Sequence, residues 1–561
     1  MNRKRTLGTL AAAAVVFAGC ELNVANPNAP DRARALASPD DVETLIGSAY
    51  GVWWQAAHHW NGHGPAFGIT ADHASGSWGN FGMRDFNEEP RKAFDNNPSY
   101  GNSEVAEDPW GDSYASISAS SDGLRSIDEG LEIGPGGERN PRAIAWAKFN
   151  QGVGHCTLAN VYDKAFIIDE NTDLQAVGDA VDASTVLAAA LAFFDEAIAV
   201  AGSNSFSLER SWLPELALTN TELVRLARSY KARCRANQPR WSNETASVDW
   251  ASVVGDVDAG ITEDLKVLGD QISSWWDGYA TYGYGDPGWV RADMHWIGLG
   301  DTSGNYEAWI NTPVAQRQAF DVTSPDQRIA VAGGGEGFPS VATWAATGDP
   351  YTEWYSTTPH PPSRGTYTLS RYVGAQHRTY TDTCDQCWFG PMMEMGLSEM
   401  QLLKADALMQ MGNMAGAAAI INVTRAIGGL MPMGASGTAP DCIPHPRYDG
   451  TGACGDLEDA LLYEFMFEAA ALSAGLNHYM NRRHGSLVPG TVLQLPVPGR
   501  ELEVLEIPIY TFGGGGPGSA PPSVTPGDLD SSLRRVSFTL EAIERKLDAG
   551  SLSKQPRQVV Y

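Results

Sequence analysis

Residues 395–427 read MGLSEMQLLKADALMQMGNMAGAAAIINVTRAI, and their periodicity decides the fold. Leu402, Leu403, Ala405, Ala407 and Leu408 recur at helical spacing and make one packing face. Gly412-Asn413 then turns the chain, glycine being the residue that most readily takes the left-handed backbone at a helix end. Beyond the turn, Ala417, Ala418, Ile421 and Ala426 include side chains small enough for a second helix to lie close against the first. A tetratricopeptide-like hairpin of this kind cannot bury its faces alone, so it predicts further hairpins stacked beside it.

The same grammar extends toward both ends. Ser38-Pro39-Asp40-Asp41 supplies a cap, a proline in the first turn and acids at the positive end of a helix dipole. Val42, Leu45, Ile46, Ala49 and Trp53 follow at helical spacing. Further helices are expected at about 110–130, 141–163, 182–201, 220–237 and 250–269, and again over 392–427 and 456–483. Between Trp275 and Tyr380 the periodicity gives way to Gly, Pro, Trp and Tyr, with short strands expected near Tyr367 to Tyr372. The fold class predicted is all-α: tetratricopeptide-like helical hairpins with a long irregular loop region and minor β. A single domain is expected over 20–561, with an N-terminal helical part at about 36–270, a loop-rich ligand-binding excursion at about 271–391 and a C-terminal helical part at about 392–561. So long a stretch without periodicity is usually functional.

Composition narrows the function. The 561 residues carry 39 basic and 67 acidic side chains, a formal charge of −28, which lacks the basic footprint a phosphate backbone requires. Seventeen Trp, 19 Tyr and 17 Phe alongside 60 Gly and 33 Pro describe aromatic-bearing loops on a helical core, the usual place for binding.

Residues 1–19 read as a cleaved lipoprotein signal peptide, with Arg3, Lys4 and Arg5 ahead of an apolar run from Leu7 to Ala18 that is too short to span a bilayer. Phe17-Ala18-Gly19-Cys20 resembles a lipobox, which makes Cys20 the acylated first residue of the mature chain; ordinary cleavage leaving a free thiol is the alternative. No later segment reads as long and apolar enough to span a membrane.

The remaining six cysteines suit an oxidising compartment, and the disulfide candidates are Cys156 with Cys234, Cys384 with Cys387, and Cys442 with Cys454. Cys384-Asp385-Gln386-Cys387 has the spacing of a redox dithiol or half a zinc site, but no second such motif accompanies it, so it reads as a loop staple. His58, His59, His63 and His73 cluster near a helix end, where Gly62 and Gly64 break any helical ligand spacing; loop packing is the expectation, with no metal and no cofactor.

No nucleophile elbow, zinc-protease helix or phosphate-binding Gly-Lys loop occurs, so the chain reads as a binding protein with no catalytic residue. Two alternatives stay open: a helical-barrel glycoside hydrolase using some carboxylate pair, and a helical-repeat scaffold that binds only protein.

Several stretches, taken in order, resemble the SusD/RagB family of outer-membrane lipoproteins. Asn26-Pro27 and then Ser38-Pro39-Asp40-Asp41-Val42-Glu43 with Leu45, Ile46, Gly47, Ala49 and Tyr50 are similar to its opening helix. Glu399, Leu402, Leu403, Lys404-Ala405-Asp406-Ala407, Gly412, Ala418, Ile421-Asn422 and Arg425 resemble its most recognisable hairpin. Leu461-Leu462-Tyr463-Glu464, Glu468, Gly475, Arg482-Arg483 and Gly485, followed by Leu495-Pro496-Val497-Pro498 and Glu501-Leu502, resemble its terminal helix and proline-rich exit. Asp406 departs from the family's usual Glu, and Asn477-His478-Tyr479-Met480 lacks the Trp-x-Asp expected before Arg482, which puts a terminal-helix contact in doubt.

The resemblance implies four hairpins on one side and irregular loops on the other. It also implies lipid-anchored display at the outer membrane, facing the cell surface, and a lid role over a SusC-like TonB-dependent transporter that receives glycan or peptide fragments. A site that holds a sugar needs flat aromatic faces with a few polar groups. The densest aromatic stretch offers Trp275, Trp276, Tyr279, Tyr282, Tyr284, Trp289, Trp296, Tyr306 and Trp309, with Asp293 and Asn305 nearby. By location within the resemblance, the ligand-binding candidates are Trp275, Trp276, Tyr282, Tyr284, Trp289 and Trp296, joined by Trp78, Asn80 and Arg84 after the first helix.

Overall fold

The computed structural model describes residue 36 and residues 38–76, 82–174, 176–270, 274–278, 290–334, 351–358, 368–374, 390–446, 451–469 and 475–514. Its first half runs α1 (Pro39–His58), α2 (His63–Thr70), β1 (Ala74–Gly76), α3 (Met83–Asn87), α4 (Glu104–Asp128), α5 (Asn140–Val161), β2 (Lys164–Ala165), β3 (Val181–Asp182), α6 (Ala183–Ser203), α7 (Asn220–Asn237), α8 (Trp250–Asp258) and β4 (Leu265–Gly269). The second half runs β5 (Val290–Ala292), α9 (Met294–Ile297), α10 (Asn305–Ile310), β6 (Thr352–Trp354), β7 (Tyr372–Gly374), β8 (Gly390–Met395), α11 (Leu397–Gln410), α12 (Met414–Ile427), α13 (Leu457–Glu468), α14 (Leu476–His484) and α15 (Gly499–Val504).

The quoted stretch folds as the helical pair α11 and α12, with Gly412 in the left-handed region at the turn and the Asn413 side chain accepting from the Gly416 amide to cap α12. Helix packs on helix in succession: α1 on α4, α4 on α5, α5 on α6, α6 on α7, α7 on α8, α8 on α11, α11 on α12 and α12 on α13. One continuous apolar core runs through this stack from Val42 to Met480. Close approach is built in with glycine: a Cβ at Gly123 would lie 2.3 Å from Ile46, so α1 and α4 touch where no larger residue fits. The opening helix starts as expected, the Ser38 side chain accepting from the Asp41 amide ahead of Pro39.

Several boundaries differ from the sequence reading. The helix expected over 250–269 ends at Asp258, because Ala259-Gly260 interrupts it and Leu265–Gly269 pairs instead as β4 with β8. For the same reason 390–395 is strand, and the helix begins only at Leu397. A single helix over 456–483 is replaced by α13 and α14, with Gly475 at φ 68 before the second. The helix expected from 110 begins at Glu104, since Val105 and Ala106 bury against Trp110 and outweigh the amide missing at Pro109. Helix α6 is long and apolar enough to cross a membrane by length and composition, against the expectation that no later segment is. Here it packs between α5 and α7, with Lys148 pairing with Glu196 and Lys231 with Asp195.

Two of the three expected disulfides are present, Cys156–Cys234 joining α5 to α7 and Cys442–Cys454 closing the loop before α13. Cys384, Cys387 and Cys20 lie outside the described residues. The terminal helix is firmly tied despite the two departures. Asp406 accepts from Arg483 Nε at 2.7 Å and faces His484 Nε2 at 3.1 Å. Arg482 donates to the backbone carbonyls of Asn160, Asn237, Pro239 and Leu493.

Candidate ligand-binding region

Strand β1 pairs antiparallel with β5, with Ala74 opposite Ala292 and Gly76 opposite Val290. That register brings two stretches of chain distant in sequence side by side. The segment carrying Trp78 and Asn80 leaves one strand immediately after Gly76, and the segment carrying Tyr282, Tyr284 and Trp289 enters the other at Val290. Opposed Cα atoms in such a ladder lie about 5 Å apart, so two segments distant in sequence share one root.

A buried polar centre underlies this ladder. Asn87, at the end of α3, donates to Asp72 Oδ1 at 3.1 Å and to Asp293 Oδ2 at 3.0 Å. Its own oxygen accepts from Ser75 Oγ and Thr368 Oγ1 at 3.1 and 3.0 Å. Arg91 pairs with Asp72 and donates to the Phe86 carbonyl and to Thr491 Oγ1. Asp293 caps α9 through the His295 amide at 2.8 Å and contacts His295 Nδ1 at 3.0 Å. Glu89 lies 3.3 Å from His295 Nε2 and 3.1 Å from Arg317, whose guanidinium sits 4.4 Å over the Trp309 ring.

Asp72, Asp293 and His295 bring potential ligand atoms within 4.8 Å of one another, a spacing that suits a metal ion. Their chemistry argues for an ion-pair network instead. Arg91 and Asn87 already satisfy the carboxylates. Burial pulls the His295 imidazole down, but Glu89 and Asp293 outweigh it and hold the ring at about 9, so that it is protonated and ion-paired with them at neutral pH. The bound value lies above the ordinary 6.5, so this stabilisation is complete below 6.5 and is lost as pH rises through 9. The shift corresponds to about 3 kcal/mol by linkage, so the melting temperature should fall across that window, and His295→Gln should flatten the fall. An unchanged slope in the variant would remove His295 from the network.

The other end of the aromatic stretch is held by a second buried network. His58, the last residue of α1, lies flat on Trp54 with ring centroids 3.6 Å apart. Its Nδ1 meets Asp277 at 2.8 Å and its Nε2 meets Glu394 at 2.7 Å. Glu394 also accepts from Tyr230 at 2.7 Å and from Arg233 at 2.6 Å. Burial raises the Glu394 carboxyl, but Arg233 and His58 overcome this and hold it at about 2. Residues 274–278 are thereby fixed to the helical wall immediately before the segment carrying Tyr282 and Tyr284.

The expected ligand residues divide by position. Trp276 and Trp296 are fully buried, a correction to their selection as contacts: Trp276 packs edge-on to Trp60 and His59, and Trp296 packs against His73 and Phe467. Aromatic density alone does not separate rings that support a surface from rings that form it. Tyr306 and Trp309 are likewise core residues. Trp275 is partly buried against Tyr50 and Trp54, and Arg84 is exposed on α3. Trp78, Asn80, Tyr279, Tyr282, Tyr284 and Trp289 lie outside the described residues. The four clustered histidines do not converge: His58 serves Asp277 and Glu394, His59 packs on Trp276, His63 meets the Tyr479 hydroxyl and His73 contacts the Met466 carbonyl. The sequence reading missed Asp72, Asn87, Arg91 and His295 as a unit, since their separations of up to 223 positions in the chain carry no motif; the one local signal is Asp72 itself, an acid at a turn with φ 55.

No family model matches the sequence, and no curated protein is similar to it. Among solved structures, a SusD superfamily protein from Bacteroides thetaiotaomicron is similar at a TM-score of 0.50 and 10% identity, covering 83% of this chain and 98% of its own. A SusD superfamily protein from Bacteroides vulgatus is similar at 0.47 and 12% identity, covering 81% and 89%. A SusD-like carbohydrate binding protein from the same species reaches 0.47 at 13% identity, covering 82% and 85%. The chain has a SusD/RagB-like fold.

Proposed function

We propose that this protein is a cell-surface nutrient-binding lipoprotein that captures glycan fragments, or peptides, and passes them to a TonB-dependent outer-membrane transporter. The observation that carries the reading is the SusD/RagB-like fold, matched along nearly the whole length of the Bacteroides thetaiotaomicron structure. The shared root of two aromatic-bearing segments, made by Gly76 opposite Val290, supports a site at that place. Aromatic faces hold the C–H surfaces of sugar rings, and an exposed guanidinium such as that of Arg84 can donate to hydroxyls. Capture without chemistry asks no more of the residues than this. Anchoring through Cys20 would keep the protein beside the transporter.

The test titrates the purified chain with oligosaccharide and peptide panels, following Trp fluorescence, and then incubates each binder and analyses it for cleavage. Saturable quenching with unaltered ligand is expected. Product release would replace capture by glycoside hydrolysis, and no binding at all would favour the protein-binding scaffold. Cys20→Ser should move the protein from the membrane pellet to the soluble fraction.

A further inference from the structure

Arg328 stands where the loop region meets the helical wall, amid more negative charge than it can balance. Its guanidinium pairs with Asp326 at 2.8 Å, with Glu464 at 2.7 Å and with Glu468 at 2.9 Å, the last two on α13. It lies 4.5 Å over the Phe467 ring, and Tyr463 donates to Asp326 at 2.8 Å. Among the described residues one further cation approaches, Arg425 on α12; it is 4.0 Å from Glu464 and is already paired with Asp441 at 2.7 Å. Two guanidiniums therefore meet four carboxylates, and the side chains of Asp326, Glu464 and Glu468 are 7% exposed or less. Like charges kept from water at this spacing favour holding a proton.

Glu468, the last residue of α13, is the carboxylate at the edge of the cluster, and its second oxygen accepts from the Tyr351 hydroxyl at 3.3 Å. The other groups facing it bring no compensating charge. Ser398 on α11 donates to the Glu468 carbonyl at 2.7 Å, Glu399 on the same helix is engaged by Arg233, and His73 reaches α13 at the Met466 carbonyl. Burial pushes the Glu468 carboxyl up to about 7 against the pull of Arg328, and Glu464 adds to the rise. Burial and Glu468 together keep the Tyr351 hydroxyl neutral.

Tyr351 begins a strap, residues 351–358, that includes β6. The Thr352 amide donates to the Arg328 carbonyl at 3.1 Å, the Trp354 indole to Asp321 at 2.8 Å and the Tyr355 amide to the Arg371 carbonyl at 2.8 Å. Arg291 of β5, opposite Ser75 in the β1–β5 ladder, donates to the Thr357 carbonyl at 3.2 Å and lies 4.4 Å over the Tyr355 ring. We propose that Glu468 is a proton-operated clasp on this strap: protonated, it keeps residues 351–358 closed on α13 and over Arg291; ionised, it draws water in and lets them lift. The device does not depend on what the loops bind. A lifted strap returns Glu468 to water, where its ordinary value is 4.5, so closure is strongest below 4.5 and weakens as pH rises through about 7. By linkage the ratio of closed to open strap falls about 25-fold from pH 5.5 to pH 8.

Hydrogen exchange of the full chain reads that ratio. Corrected for the intrinsic pH dependence of exchange, protection of the Thr352 and Tyr355 amides should fall about 25-fold across this interval, and at every pH it should be weaker than that of amides inside α5, the mark of local opening. In Glu468→Gln the carboxamide stays neutral, so strap protection should be level across the interval. The pH series on the unaltered chain stands without the variant: constant protection there overturns the proposal. An equal fall in Glu468→Gln overturns it too, since another group would then carry the titration. Strap amides that exchange only together with those of α5 would make Glu468 a contributor to global stability and not a clasp.

Discussion

Replacing Arg233 by methionine should destabilise the protein by about 3–5 kcal/mol, the cost of stranding a buried charge. Its guanidinium donates to Glu394 Oε1 at 2.6 Å, to both oxygens of Glu399 at 2.7 Å and to the Glu394 carbonyl at 2.7 Å, all out of contact with water. Without it, two carboxylates remain buried near one another; Glu394 keeps His58 and Tyr230, while Glu399 keeps a backbone hydrogen bond at Gly396. The loss reaches across the fold, since Arg233 on α7 joins β8 and α11, and Glu394 passes the connection through His58 to Asp277. Urea unfolding followed by circular dichroism would measure the change. Arg233→Lys should fall between, because a point charge cannot reproduce the bidentate geometry. Adding Glu399→Gln to Arg233→Met should restore part of the loss, the two sites coupling by about 1–3 kcal/mol. If Arg233→Met costs under about 1 kcal/mol, the network is dispensable.

What the sequence disclosed follows from how local each signal is. The α11–α12 pair was legible because Leu402, Leu403, Ala405 and Ala407 repeat within two turns, and those four are buried as expected. The start of α1 was legible because Ser38 and Pro39 act through bonds to their immediate neighbours. Cys156 and Cys234 were paired correctly for want of nearer partners in the N-terminal half. Strands β4 and β8 were read as helix because each has an apolar pattern too short to fix its period, and only their pairing over more than a hundred residues settles it. The polar centre was illegible for the same reason at greater range. Asp72, Asn87 and Asp293 have no meaning separately, and their hydrogen bonds exist only after β1 has found β5. Trp276 and Trp296 show the complementary error, since the residue type that binds ligands at a surface is also the type that fills a large core.

Removing Trp78 and Trp289 together should weaken ligand binding by about a hundredfold or more, while helicity and unfolding midpoint stay unchanged. Two rings that each act as a hot spot contribute about 2 kcal/mol or more apiece, and tenfold in affinity is about 1.4 kcal/mol. The pair is chosen by register: Trp78 stands two residues after Gly76 and Trp289 one residue before Val290, and Gly76 and Val290 face each other across the β1–β5 ladder. Trp276→Ala is the contrasting variant. Its ring is fully buried, so truncation should cost about 3–5 kcal/mol of stability as a cavity. His58→Leu separates positioning from contact. It removes no candidate ring but releases Asp277 from α1, so it should weaken binding less than the double variant and should leave the glycan panel's order of preference unaltered. Calorimetric titration of the tightest-binding glycan against these variants gives the comparison. A double variant that binds as tightly as the unaltered protein would show that the paired segments do not hold the ligand, whatever their composition.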